Sequence, residues 1–181
     1  MKNPIQWIRR KSWFLFDLPC FIKERGYQNG LELGAKAGRS MYHMLRVNPR
    51  LHLTGIDLWE VIEGGAYTKN GENEEKCRHR LRKFKDRMTL IKGNALNLCE
   101  EIEDRSLDFV YYDLQCKPMQ GFHRSVLEKY LPKIKKGGVM IGRDFRGFRN
   151  DFYGLGFEES DFIPCEFNNR ISHRLEYLYI S

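Results

Sequence analysis

Glu32, Gly34, Gly38 and Ser40 fall within one stretch, NGLELGAKAGRS at 29–40, and Asp57 follows about 20 residues on. Apolar residues run up to Glu32, a glycine comes almost at once, and a helical pattern opens near Ser40. That is how a buried strand looks when it turns tightly into a helix. Gly34 can take backbone angles closed to other residues, and it puts no side chain in a ligand's way. Ser40 and the first helical N–H groups can donate to a polar or negative ligand group. A second apolar run, TGIDLWE at 54–60, carries Asp57 at its end. An acidic residue at that distance from a glycine turn is placed to hold a ribose diol.

These residues need a scaffold of strands that end side by side. The pattern predicts strands at 30–33 and 51–56, with a helix at 38–47 between them that Asn48 and Pro49 stop. A long Gly-rich connection, EGGAYTKNGEN at 63–73, has the character of a lid or binding loop. Residues 74–87 read as a helix whose buried stripe is Cys77, Leu81, Phe84 and, just beyond it, Met88. Its remaining surface is dense in Lys and Arg, which suits either a solvated face or contact with nucleic-acid phosphates. A third strand is expected at 88–92, and a fourth ends at Asp113. A helix, a Gly-Gly turn and a fifth strand ending at Asp144 come next, then two apolar strands near 161–167 and 174–180. At the N-terminus, Asp17 can cap a helix that has Pro19 in its first turn and stops at Gly26.

Together the glycine stretch and the Asp57 strand resemble the class I S-adenosylmethionine (SAM)-dependent methyltransferases, in the small-molecule, O-methyltransferase-like branch. The shared pattern is Glu-x-Gly-x-x-x-Gly-x-Ser, which departs from the Gly-x-Gly-x-x-Gly of dinucleotide binders. LPKIKKGGVMI at 131–141 is close to another segment of the family, and the likeness covers about residues 26–180. It implies an α/β fold with a Rossmann-like, seven-stranded, mostly parallel sheet and helices on both faces. The chain's length suits one domain over 1–181, and the helical pattern of 1–25 makes that stretch an N-terminal extension. The cofactor implied by the resemblance is SAM, contacted by Glu32, Gly34, Ala35, Lys36, Gly38, Ser40, Asp57, Leu58, Asn94, Ala95 and Asp113. Asn94 stands where the family often has an Asp near the adenine amino group; its amide can still accept a hydrogen bond there.

Methyl transfer from a sulfonium requires alignment and, for a hydroxyl acceptor, removal of a proton. Asp113 and Asp144 end neighbouring strands, and His123 lies just beyond; these are the catalytic candidates. Asp113 and Asp144 match positions at which catechol-type relatives place metal-binding aspartates, and two oxygen ligands can hold Mg²⁺. Phe145 replaces the Asn that completes that site, so no metal ligands are assigned. Arg143 and Arg146 suit a small acidic or phosphorylated acceptor. DLQC at 113–116 lacks the Pro-Pro motif of amino-directed nucleic-acid methyltransferases. Methylation of a small, oxygen-bearing acceptor is the leading expectation. The alternative is a SAM-binding protein that regulates, or that binds RNA through the 74–87 helix, without methylating.

Composition sets the outer limits. The chain has 181 residues, 41% hydrophobic and 30% charged, with a net charge of +7, as for a globular protein attractive to acidic partners. The number of cysteines, 5, is odd, and no Cys-x-x-Cys pair occurs, which fits a reducing, cytoplasmic setting. No apolar stretch approaches the roughly 20 residues of a membrane span.

Overall fold

A computed structural model describes residues 13–60, 72–114, 121–143, 145, 149–167 and 170–180. The order of elements is α1 (Trp13–Arg25), β1 (Asn29–Leu33), α2 (Arg39–Val47), β2 (His52–Asp57), α3 (Glu72–Leu81), β3 (Met88–Lys92), α4 (Ala95–Leu98) and β4 (Leu107–Tyr112). Then come α5 (Phe122–Tyr130), β5 (Ile134–Arg143), α6 (Arg149–Tyr153), β6 (Ile163–Phe167) and β7 (Arg170–Tyr179). The strands form one 7-stranded sheet in the order β3-β2-β1-β4-β5-β7-β6. Strands β1 to β5 are mutually parallel, and β7 runs antiparallel between β5 and β6.

Strand side chains alternate between the two faces, and helices cover both, so the strands read as near-continuous apolar runs. Phe109, Tyr111, Val139 and Ile141 face α1, α2 and α3 through Leu18, Ile22, Met41, Met44 and Leu81. Val110, Tyr112 and Met140 face the other way, onto Val126, Leu127, Tyr130, Phe145 and Phe152. The sheet is thus buried at its centre, and its strands can present their carboxyl ends along one edge. In such sheets ligands bind outside those ends, where β1 and β4 diverge to opposite sides.

Several elements differ from expectation. Helix α1 runs unbroken across Pro19 instead of starting at Asp17. The Pro19 carbonyl accepts a 3.0 Å bond from Asn48 Nδ2, so the end of α2 supports it. Gly26, at φ 68, ends α1 as expected, with Tyr27 N–H returning to the Ile22 carbonyl. The predicted 74–87 helix is two pieces: α3 stops at Leu81 and a 3-10 stretch covers Arg82–Arg87, with Phe84 at φ −110 and ψ 17. The Gly-Gly turn is a bulge inside β5, where the pairing with β4 slips between Leu107 and Phe109. The last strand begins at Arg170, ahead of the expected 174. Residues 1–12 and 61–71, with most of the predicted lid, lie outside the described residues.

Candidate active site

The β1–α2 turn is built as its glycines require. Gly34 has φ 95, and a Cβ there would stand 2.6 Å from the main-chain oxygen of Asp113. The turn therefore packs directly on the end of β4, and no side chain fits between them. Gly38, at φ 68, opens α2, and a Cβ there would meet Cys77 Sγ at 2.7 Å. Both glycines are thus fixed by packing of this turn against its protein neighbours.

Glu32 is fully buried, and Ser40 Oγ donates to its Oε1. Its second oxygen, Oε2, is buried with no hydrogen-bond partner among the described residues. Burial pushes the Glu32 carboxyl well above its ordinary range; the Ser40 bond opposes this, and the nearby Asp113 and Asp57 add to it. Three carboxylates thus converge where β1, β2 and β4 end. A buried orphan acceptor among negative charges is a cradle for a cationic group and a poor one for phosphates. Such a cradle suits SAM, which carries a sulfonium and an ammonium.

A proton is bound more tightly by folded Glu32 than by the unfolded chain. Stability from this group is therefore full below the unfolded carboxyl pKa and is lost as pH rises through the folded one. Glu32→Gln removes the titration, so the ligand-free protein should melt higher than wild type at pH 8, with the gap closing toward pH 4. Thermal melts at the two pH values check this.

Asp57 is buried, and both its oxygens are used locally. Oδ2 accepts from the Lys36 N–H at 2.7 Å, and Oδ1 from the Trp59 N–H at 2.8 Å. A carboxylate has about four acceptor sites, more than these two bonds use. Leu58 is half-buried beside it. Asn94 caps α4 by accepting from the Leu96 N–H at 2.9 Å, and Ala95 behind it is buried. Asp113 donates its N–H to the Leu33 carbonyl at 3.0 Å, and its side chain is half-buried.

His123 is buried on α5, with Nδ1 2.5 Å from the Tyr112 hydroxyl. Burial lowers its pKa, so the imidazole is neutral near pH 7. It faces Tyr112, the residue before Asp113. Phe145 is buried against Phe152 and Phe162, a core role and not a ligand position. Among the described residues no group of 3 or more His, Cys, Asp or Glu gathers to hold a metal. Asp144 and Arg146 lie outside the described residues, as does the Arg143 side chain; the Arg143 backbone ends β5 opposite Leu175. Arg149, three residues past Arg146 in sequence, is held by Glu159 and by Glu176 at 2.8 Å.

Much of the basic surface at 74–87 is engaged within the chain. Lys76 pairs with Glu72, Arg78 with Glu74, and Lys83 approaches the Tyr42 hydroxyl. Arg87 donates to the carbonyls of Leu45, Asn48 and Leu51, closing the end of α2. Arg80 donates to the Ala37 carbonyl, inside the glycine turn. Sequence alone does not separate these main-chain donors from solvated neighbours, because their targets lie about 40 residues away across the fold.

Known proteins share this fold. Residues 31–145 match the family model described as a methyltransferase domain. The chain belongs to that family, and its sheet is that of the class I SAM-dependent methyltransferases. It resembles a solved O-methyltransferase from Bacillus cereus in complex with SAH, at 15% identity and TM-score 0.66 over 93% of this chain and 81% of that one. The SAH-bound Podospora anserina methyltransferase PaMTH1 gives 15% and 0.64, over 100% and 80%. A methyltransferase from Geobacter sulfurreducens gives 19% and 0.62, over 99% and 90%. Among curated proteins, none matches the sequence. The chain is a SAM-dependent methyltransferase. Among the described residues no helix is long and apolar enough to cross a membrane.

Proposed function

We propose that the chain methylates an oxygen on a small molecule, with SAM lying across the ends of β1 and β2. The observation that carries this reading is the buried, unpartnered Glu32 Oε2, set among Asp57 and Asp113. When bound, SAM supplies an activated methyl group on a sulfonium. The chain's own residues supply placement. Asp57 holds the ribose diol, and the turn at 34–38 with Ser40 closes on the other end. Asn94 and Ala95 border the adenine. Asp113 takes the acceptor's proton, supported by its position at the end of β4 beside the turn. His123 backs that strand through Tyr112. Arg143 and Arg146, with Asp144, are assigned to the acceptor from their order in the sequence, which favours an acidic or phosphorylated molecule. The odd cysteine count supports a cytoplasmic setting.

Asp57→Ala is expected to weaken SAM binding by about 1.5–3 kcal/mol, the scale for hydrogen bonds to a charged group. Calorimetric titration of the folded variant checks this. Affinity equal to wild type would remove Asp57 from the site.

A further inference from the structure

Two residues at the site hold left-handed backbone without being glycine: Lys36 at φ 47 and Trp59 at φ 45. Such backbone is strained for a residue with a side chain and persists only where its surroundings over-determine it. Here the surroundings are a closed set of bonds. Asp57 receives the N–H groups of both residues. The Trp59 indole Nε1 donates back to the Lys36 carbonyl at 2.6 Å, and Trp59 is only 2% exposed. One residue on, the Ala37 carbonyl takes the Arg80 guanidinium from α3. The Arg78 guanidinium, from the same helix, lies over the Trp59 ring, 6.0 Å from its centre. Successive carbonyls of the glycine turn are therefore pinned by side chains from two other elements.

We propose that Trp59, assisted by Arg80, is a positioning residue that sets cofactor affinity by holding the Lys36–Ala37 carbonyls. Neither residue needs to touch the cofactor. Without the indole N–H the turn relaxes away from its left-handed backbone, and only a fraction of molecules remains competent to bind. Apparent affinity falls by that fraction. Asp57 thereby serves the turn as well as the ribose, so substitutions at Asp57 mix two effects and those at Trp59 isolate one. The inference rests on the reading that this turn holds SAM.

The test is calorimetric titration with SAH of wild type, Trp59→Phe, Arg80→Gln, Lys36→Gly and the double variant Trp59→Phe/Lys36→Gly. Trp59→Phe keeps the buried ring and loses only the donor. It should weaken SAH about tenfold, and Arg80→Gln about threefold. Glycine adopts left-handed backbone without strain. In the Lys36→Gly background the Trp59→Phe effect should therefore shrink below about twofold, a coupling that general damage to the fold would not produce. Trp59→Phe within twofold of wild type overturns the proposal, as does an undiminished loss in the Lys36→Gly background. If Trp59→Phe does not fold, Arg80→Gln decides, with affinity within 1.5-fold of wild type counting against it. Failure of wild type to bind SAH removes the SAM-site reading itself, and this inference with it.

Discussion

Gly34→Val is expected to abolish SAM binding and to destabilise the fold by about 3–5 kcal/mol. Two costs add. A β-branched residue is forced to φ 95, and its Cβ would stand 2.6 Å from the Asp113 main-chain oxygen. That neighbour is backbone directly after a central strand, tied to Leu33 by the Asp113 N–H, so it has little freedom to move. The turn and the end of β4 must separate, which pulls apart the residues assigned to the cofactor and to the acceptor. Chemical denaturation gives the stability loss, and titration of the folded fraction gives the affinity. A variant of wild-type stability that binds SAM normally would mean that the turn does not pack on β4 as described.

Asp113→Asn is expected to lower turnover by about 10²-fold or more while leaving SAM affinity within about threefold. The main chain at 113 is held by the Leu33 carbonyl and by the contact with Gly34, neither of which involves the side chain. Asparagine has the same shape and cannot accept the acceptor's proton. The measurement is SAH release against a screen of hydroxyl-bearing and phosphorylated metabolites, with wild type and variant side by side. Turnover within threefold of wild type would take proton removal away from Asp113. Loss of wild-type turnover on chelation, restored by Mg²⁺, would give the aspartate a metal-binding role instead.

The framework of the site was legible in the sequence because it is written in local signals. Apolar runs that end in an acid and then a glycine mark β1 and β2, and Met88–Lys92 forms a strand with the predicted ends. The family's spacing then orders the sheet. What could not be read depends on distant partners. Arg80 looks like any cation in a basic run until the Ala37 carbonyl is placed opposite it. The left-handed backbone of Trp59 has no composition signal. Proline normally marks a helix start, so α1 was expected to begin near Asp17; support from Asn48 keeps it continuous. His123 is a catalytic candidate in the sequence because it lies just past Asp113; its contact with Tyr112 is tertiary and leaves no local signal.

The most direct test of the account is calorimetric titration of the purified wild-type protein with SAM. The account predicts saturable binding at one site per chain. A folded protein that takes up no SAM at millimolar concentration would contradict it.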